Sequence, residues 1–394
     1  MQHQPSAVSL SISGFIALAV AMGIGRFAFT PLLPMMQSDA GLSLAQGGWL
    51  ASANYLGYLA GALTAAIVPG TPAALLRLGL LLVVVTTMLM GLTDSWASWL
   101  SWRFIAGLAS AWVLVSTATL CLARLAALGQ SRWAGLVFAG VGTGIAAAGL
   151  LCLGLGLAQA SSAQAWLILG LMALAGMAAA RSLWKLPYAA PAATTHHEAS
   201  GNLARHWPLI TCYGLFGFGY ILPATFLPAQ ARQLVQDPAV FGLAWPLFGL
   251  AAAVSTVAVG RLAGRYGRRK VWAAAQLAMV AGVLLPALVP TLSAIVFAAI
   301  CVGGTLMIIT MLGMQEAQAV GGQHARKLIA AITASFAAGQ LAGPIFFSLT
   351  HAWFDAGLDF ALVLAALGLL FSIALLWTPT RATGQDQSQA APPR

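Results

Sequence analysis

The sequence predicts an all-α integral membrane protein with twelve transmembrane helices. Three observations point there. Of 394 residues, 60% are hydrophobic and only 7% charged, against roughly 25% charged in an ordinary soluble domain. The apolar residues run in blocks close to the roughly 20 residues a helix needs to cross a bilayer. The basic residues between the blocks collect on alternate connections, as a chain that threads a membrane requires. That composition excludes a soluble enzyme, a secreted module and a disordered chain.

The blocks place spans at 10–33, 45–68, 73–92, 98–120, 132–157, 164–184, 207–230, 240–260, 270–289, 292–314, 327–350 and 358–378. Each is expected to be helical, because a lone strand cannot satisfy its backbone in lipid. The first block is read as span 1 and not as a cleaved signal: residues 1–9 hold no Lys or Arg, and the block is too long for a signal core. The longest interruption, 186–206, is rich in Ala, Pro, Thr and His and divides the chain near its middle. It is expected to be a cytoplasmic linker between an N-terminal six-helix bundle (1–185) and a C-terminal one (207–380), with a cytoplasmic tail at 381–394.

Orientation follows from the 18 Lys and Arg residues. If the N-terminus is cytoplasmic, fifteen of them, from Arg77 through Arg394, fall in inside loops and the tail, and only Arg232 falls outside. Both termini are therefore expected inside, in a bacterial inner membrane. The net charge of +10 does not indicate nucleic acid, since no soluble face gathers it. Ten tryptophans, among them Trp49, Trp133 and Trp377, sit near span ends, where aromatic side chains favour the interface. Trp112 and Trp245 lie deeper, lining a cavity or packing between helices. Cys121, Cys152, Cys212 and Cys301 all lie in apolar blocks without a CxxC pair, so neither a metal site nor a disulfide framework is expected. No cofactor is expected.

A weak internal repeat links spans 1 and 7. Gly23-Ile24-Gly25-Arg26 leads to Pro34, and Gly217-Phe218-Gly219-Tyr220 leads to Pro228 at the same distance. The loop after span 8 reads Gly260-Arg261-Leu262-Ala263-Gly264-Arg265-Tyr266-Gly267-Arg268-Arg269. It resembles the major facilitator superfamily signature G-x-L-x-D-R-x-G-R-R, with Gly264 at the acidic position. Span 4, from Arg103 through Gly107 to Ala111, resembles the superfamily's R-x-x-x-G-x-x-x-A pattern. The runs Gly25–Met36 and Gly48–Tyr58 resemble the YbfB/YjiJ branch. The resemblance implies two pseudo-symmetric six-helix bundles working by alternating access, with Gly260, Arg265, Gly267, Arg268 and Arg269 as a conformational-switch loop. It also implies close helix contacts where the bundles rock, and the glycine pairs Gly57/Gly61, Gly140/Gly144 and Gly339/Gly343, with Gly107, are read as supplying them.

Ionisable residues inside spans are functional candidates. Only Arg26 and Arg103 qualify clearly. At 1.5 Å per residue, Arg26 lies about 12 Å below Pro34 and Arg103 about 8–10 Å below the start of span 4, so their depths match. No Asp or Glu lies mid-span to neutralise either. A guanidinium fork suits a carboxylate; the alternatives are snorkelling to headgroups or bonding to backbone carbonyls. Thr30, Asn54, Tyr58, Ser110, Tyr213, Tyr220 and Gln340 join the two arginines as candidate substrate-binding residues, with inter-helix hydrogen bonding as the competing role. The expected activity is secondary transport of a small organic solute, with a mild preference for a carboxylate, by a monomer in the lipid bilayer. A proton-coupled multidrug or sugar effluxer and a lipid flippase remain alternatives. No clustered His, Asp, Glu or Ser suggests an enzyme.

Overall fold

A computed structural model describes residues 6–186, 203–234, 238–289, 291–354 and 357–378. Most of the expected linker (187–202), the tail at 381–394, and Asp237 and Asp355 lie outside the described residues. Helix starts follow local chemistry. Ser43 caps α2 (Leu44–Ala65) by accepting from the Gln46 N–H, while its own N–H donates to the Gln46 side chain. Ser161 and Gln164 make the same box at α6 (Ser162–Ala179). Thr71 caps α3 (Pro72–Leu92), whose first residue is a proline with no N–H to leave unpaired.

The remaining helices are α1 (Ala7–Asp39), α4 (Trp96–Ala127), α5 (Ala134–Leu157), α7 (Trp207–Leu234), α8 (Pro238–Tyr266), α9 (Arg268–Leu288), α10 (Leu292–Gly321), α11 (Ala325–Phe354) and α12 (Leu358–Leu375). Ten stretches of the described residues are long and apolar enough to cross a membrane. One of them, Leu292–His351, holds both α10 and α11. The Gly-, Ser- and Asn-bearing α2 is not among the ten. The chain is thus an all-α, multi-spanning membrane protein.

Helix ends fall within a few residues of the expected ones, except that α1, α4, α8 and α10 run on to Asp39, Ala127, Tyr266 and Gly321. A helix satisfies its own backbone, so it can continue past the hydrocarbon into the polar interface. The largest departure is inside α1. Residues Ala19–Phe27 form a π-helix, where a regular helix was expected. Wider winding there lets carbonyls turn away from their usual partners.

Packing depends on glycine where backbones touch. A Cβ on Gly107 would lie 2.1 Å from the Asn54 carbonyl oxygen, and one on Gly57 would lie 1.9 Å from that of Phe104, so α2 and α4 meet backbone to backbone. Gly61 likewise faces Leu108 on α4; Gly140 and Gly144 face Phe15 and Ala19 on α1; Gly339 and Gly343 face Gly214 and Ile221 on α7. This corrects the expected placement. These seven glycines join helices within 6–186 or within 203–378, and not helices across that division. The contact across it is α5 on α8. There Gly142 and Gly249 oppose each other, and a Cβ on Gly260 would lie 2.6 Å from the Arg132 carbonyl. α11 also packs against α2 and α4 across the division.

One face of the molecule is rich in arginine. Arg326, at the start of α11, donates through Nε to the Ala65 carbonyl at 3.0 Å and through its Nη atoms to Val68 and Gly70 at 3.4 and 3.3 Å. These are the carbonyls left at and beyond the C-terminal end of α2, where the helix dipole favours a cation. Gln315 on α10 reaches the Ser131 carbonyl at 3.3 Å on the same face. At the opposite face Asp39, ending α1, accepts from the backbone N–H and the hydroxyl of Ser162 at the start of α6.

Candidate substrate-binding site

The π-helical segment of α1 positions the site. Gly23 lets α5 approach, since a Cβ there would lie 2.4 Å from Gly144 Cα. α4 then takes up the turned carbonyls. Ser110 Oγ donates to the Ala21 carbonyl at 2.7 Å. Arg103 Nη1 and Nη2 donate to the Gly25 and Arg26 carbonyls, both at 3.3 Å. The Arg103 guanidinium also lies 4.7 Å from the Phe29 ring centroid, and its backbone carbonyl accepts from Asn54 Nδ2 at 3.0 Å. Of the roles open to Arg103 in the sequence, the one seen is to bind backbone carbonyls and fix the shape of α1.

Held this way, Arg26 points inward. Its side chain is 3% exposed, so it does not snorkel. The guanidinium carbon lies 3.6 Å from the Tyr58 ring centroid, with Tyr55 at 5.7 Å and Phe27 at 5.5 Å. Nη2 donates to Oε1 of the fully buried Gln340 on α11. Arg26 Nε and Nη1, Gln340 Nε2 and Asn54 Oδ1 are buried without a hydrogen-bond partner among the described residues. Removing a guanidinium from water costs several kcal/mol after relaxation. A cation–π contact supplies roughly 2 kcal/mol when desolvated, and a hydrogen bond to a charged group about 1.5–3 kcal/mol. Both together leave the charge short of compensation. Among the described residues, ion pairs form instead on Glu316, with Arg268 and Arg269.

A cavity of about 10 Å³ adjoins this cluster, room for roughly one water. Met22, Phe27 and Tyr58 line it from α1 and α2, and Tyr213, Thr310 and Phe336 from α7, α10 and α11. The Tyr213 hydroxyl donates to the Thr310 carbonyl at 2.6 Å. Tyr220 stacks on Phe336 with ring centroids 6.1 Å apart. Trp245 lies 6.3 Å from Phe27 and stacks on Phe248 at 5.2 Å, whereas Trp112 bonds Thr64 Oγ1 at 2.9 Å. Arg26, Asn54, Tyr58, Arg103, Ser110 and Gln340 are thus linked by contacts around one point, and Tyr213 and Tyr220 join the adjoining aromatic wall. Thr30 does not belong. It is exposed, one turn beyond Arg26. The sequence reading had no means of pairing Arg26 with Gln340, 314 residues away.

The loop after α8 has its own geometry. Gly267 turns the chain at φ +90°, a value that favours glycine. Arg268 and Arg269 then begin α9 and donate through their Nε atoms to the two carboxylate oxygens of Glu316 at 3.1 and 2.8 Å. Arg269 Nη1 also reaches the Leu376 carbonyl at 3.1 Å. Arg265 lies 5.4 Å from the Tyr266 ring. A Cβ on Gly264 would meet nothing within 4 Å, so the missing acid leaves open space. Glu316 was not expected to accept these arginines, because the sequence gives no sign that the end of α10 meets the start of α9. Among the described residues no group of three or more His, Cys, Asp or Glu could hold a metal.

The fold and the family comparison together place the chain among major facilitator-type transporters. Two solved structures share the fold: the human organic anion transporter MFSD10 (TETRAN), with a TM-score of 0.75 at 16% identity over 95% of this chain and 100% of that one, and a form of the nucleoside transporter NupG, with a TM-score of 0.61 at 13% identity over 94% and 98%. Residues 18–377 match the family model described as the uncharacterised MFS-type transporter YbfB, and the chain belongs to that family. An uncharacterised MFS-type transporter of Yersinia pseudotuberculosis serotype O:3 (strain YPIII) is 26% identical over 94% of this chain and 96% of its own. YceJ of Bacillus subtilis (strain 168) is 32% identical over 25% and 26%.

Proposed function

We propose that this chain carries a small organic anion, a carboxylate with an apolar body, across a bacterial inner membrane by alternating access. The observation that carries the reading is Arg26: a guanidinium buried at the crossing of α1, α2 and α11, with two nitrogens unpartnered and a single neutral amide on the third. A carboxylate supplies both the missing charge and the missing acceptors, in the bidentate geometry a guanidinium prefers. The aromatic wall of Tyr58, Tyr213, Tyr220 and Phe336 suits an apolar body. That the similarly folded MFSD10 is described as an organic anion transporter agrees with this class.

In this reading the twelve helices form two six-helix bundles, 1–185 and 207–380, joined by a cytoplasmic linker, in a monomer with both termini in the cytoplasm. The Arg26 site lies where the bundles meet. The α5–α8 crossing, with its opposed glycines, is the surface on which they rock. Arg268, Arg269 and Glu316 hold the cytoplasmic ends of α9, α10 and α12 in one of the alternating states.

Purified protein in detergent tests the substrate class. Carboxylates are expected to raise the apparent melting temperature, because a ligand that binds only the folded state stabilises it by mass action. Sugars, amino-acid amides and cationic drugs are expected not to. A shift from uncharged sugars alone, unchanged in Arg26→Gln, would refute the anion site.

A further inference from the structure

Gln340 stands on the one guanidinium nitrogen that matters most. An arginine presents two forks to a carboxylate: side-on through Nε and Nη2, and end-on through Nη1 and Nη2. Nη2 belongs to both. It is the nitrogen that donates to Gln340 Oε1, while Nε and Nη1 remain unpartnered among the described residues. Nη2 sends one N–H into each fork, so the single amide oxygen closes one fork, and a carboxylate that enters that fork must displace it. The other end of the same amide, Nε2, is buried without an acceptor.

The backbone around this contact is built to give way. Arg26 lies in the π-helical segment of α1. Pro344 sits inside α11 four residues after Gln340, so the Gln340 carbonyl lacks its usual helical N–H donor. Both helices are irregular where they are joined, and a side chain that must swing away is best placed on such a segment.

We infer that Gln340 is a displaceable surrogate for the substrate carboxylate. In the empty carrier its Oε1 occupies the shared nitrogen of Arg26. An arriving carboxylate takes both nitrogens of the fork that Gln340 holds, and the released amide turns its unpartnered Nε2–H toward the bound anion. Because Arg26 and Gln340 come from opposite ends of the chain, the anion then replaces the direct tie between α1 and α11. Selectivity follows: a carboxylate or similar two-oxygen anion displaces the amide, and a halide or a neutral carbonyl does not. This rests on the anion reading of Arg26 given above.

Four purified variants test it, each with acetate, pyruvate, benzoate and succinate as probes in thermal-shift titrations beside the wild type. Gln340→Glu places a resident carboxylate on Arg26. It is expected to melt higher when empty and to lose the carboxylate-induced shift. Gln340→Ala removes the competitor and is expected to bind the same probes about tenfold more tightly, the scale of one lost charge-assisted hydrogen bond. Gln340→Met, of similar length and unable to accept strongly, is expected to follow Gln340→Ala and decides the matter if Gln340→Glu does not fold. Loss of binding in both Gln340→Ala and Gln340→Met would overturn the surrogate role and make Gln340 a required ligand. Wild-type binding by Gln340→Glu would overturn it as well. Arg26→Gln separates the two levels: carboxylate shifts that survive in that variant refute the anion site itself, and the surrogate with it. No shift in wild type or in Gln340→Ala, whose fork is open, refutes both.

Discussion

The two buried arginines should respond oppositely to the same substitution. Arg103→Met leaves two acceptors of the π-helical segment, the Gly25 and Arg26 carbonyls, without donors. An orphaned buried polar group costs about 1–3 kcal/mol, but the substitution also removes Arg103 Nε, itself buried without a partner among the described residues, so the net loss is about 1–3 kcal/mol. Arg26→Met orphans one acceptor, Gln340 Oε1, but removes a charge with two unpartnered nitrogens, each at least as costly by the same measure. The cost of burying a guanidinium is common to both and cancels in the difference. Arg26→Met should therefore be at least about 2 kcal/mol more stable than Arg103→Met, and no less stable than the wild type. A residue retained against stability is one whose role lies in function. Apparent melting temperatures in one detergent, followed by tryptophan fluorescence, give the comparison. Equal destabilisation by the two substitutions would mean that Arg26 is satisfied in the empty protein, and the anion site would lose its physical basis.

Other outcomes follow from single contacts. Arg103→Lys is expected to fold but to transport poorly, since an ammonium cannot span two carbonyls as a guanidinium fork does; transport at the wild-type rate would remove Arg103 as the residue that aims Arg26. Gly107→Ala is expected to lower stability by about 2 kcal/mol or more, because its Cβ would lie 2.1 Å from a backbone oxygen that cannot yield. Gly154→Ala, which meets open space on α5, is expected to be neutral or to stabilise by up to about 1 kcal/mol; yields and melting curves of the pair check both. Glu316→Gln removes two ion pairs whose arginine side chains are 43% and 35% exposed. Solvent screening limits the stability cost to about 1 kcal/mol, so an altered transport rate at nearly unchanged melting temperature is the expected signature, measured by uptake into proteoliposomes.

Much of the fold was legible because membrane helices announce themselves locally. Ser43 with Gln46, Ser161 with Gln164, and Thr71 before Pro72 mark three starts by chemistry that acts within one helical turn. Arg26 and Arg103 stood out because charge in an apolar block has no cheap explanation. What stayed hidden depends on pairs distant in sequence. The π-helical turn at Ala19–Phe27 leaves no mark in composition. It is sustained by Ser110 and Arg103 from another helix. The Gly-xxx-Gly spacing shows that a helix will be approached closely without saying by which neighbour, so the glycines expected between bundles proved to face partners nearer in the chain. Thr30 shares a segment with Arg26 but not its face. Gln340 gained its meaning only from the atom it touches.

The most direct measurement is counterflow into proteoliposomes holding the purified carrier, with labelled benzoate set against labelled benzamide. The two share an aromatic body and differ in the group that Arg26 would hold. A site built on that guanidinium requires benzoate to accumulate and benzamide not to, and requires benzoate counterflow to vanish in Arg26→Gln while the variant remains folded. Equal counterflow of the amide, or undiminished benzoate counterflow in Arg26→Gln, would contradict it.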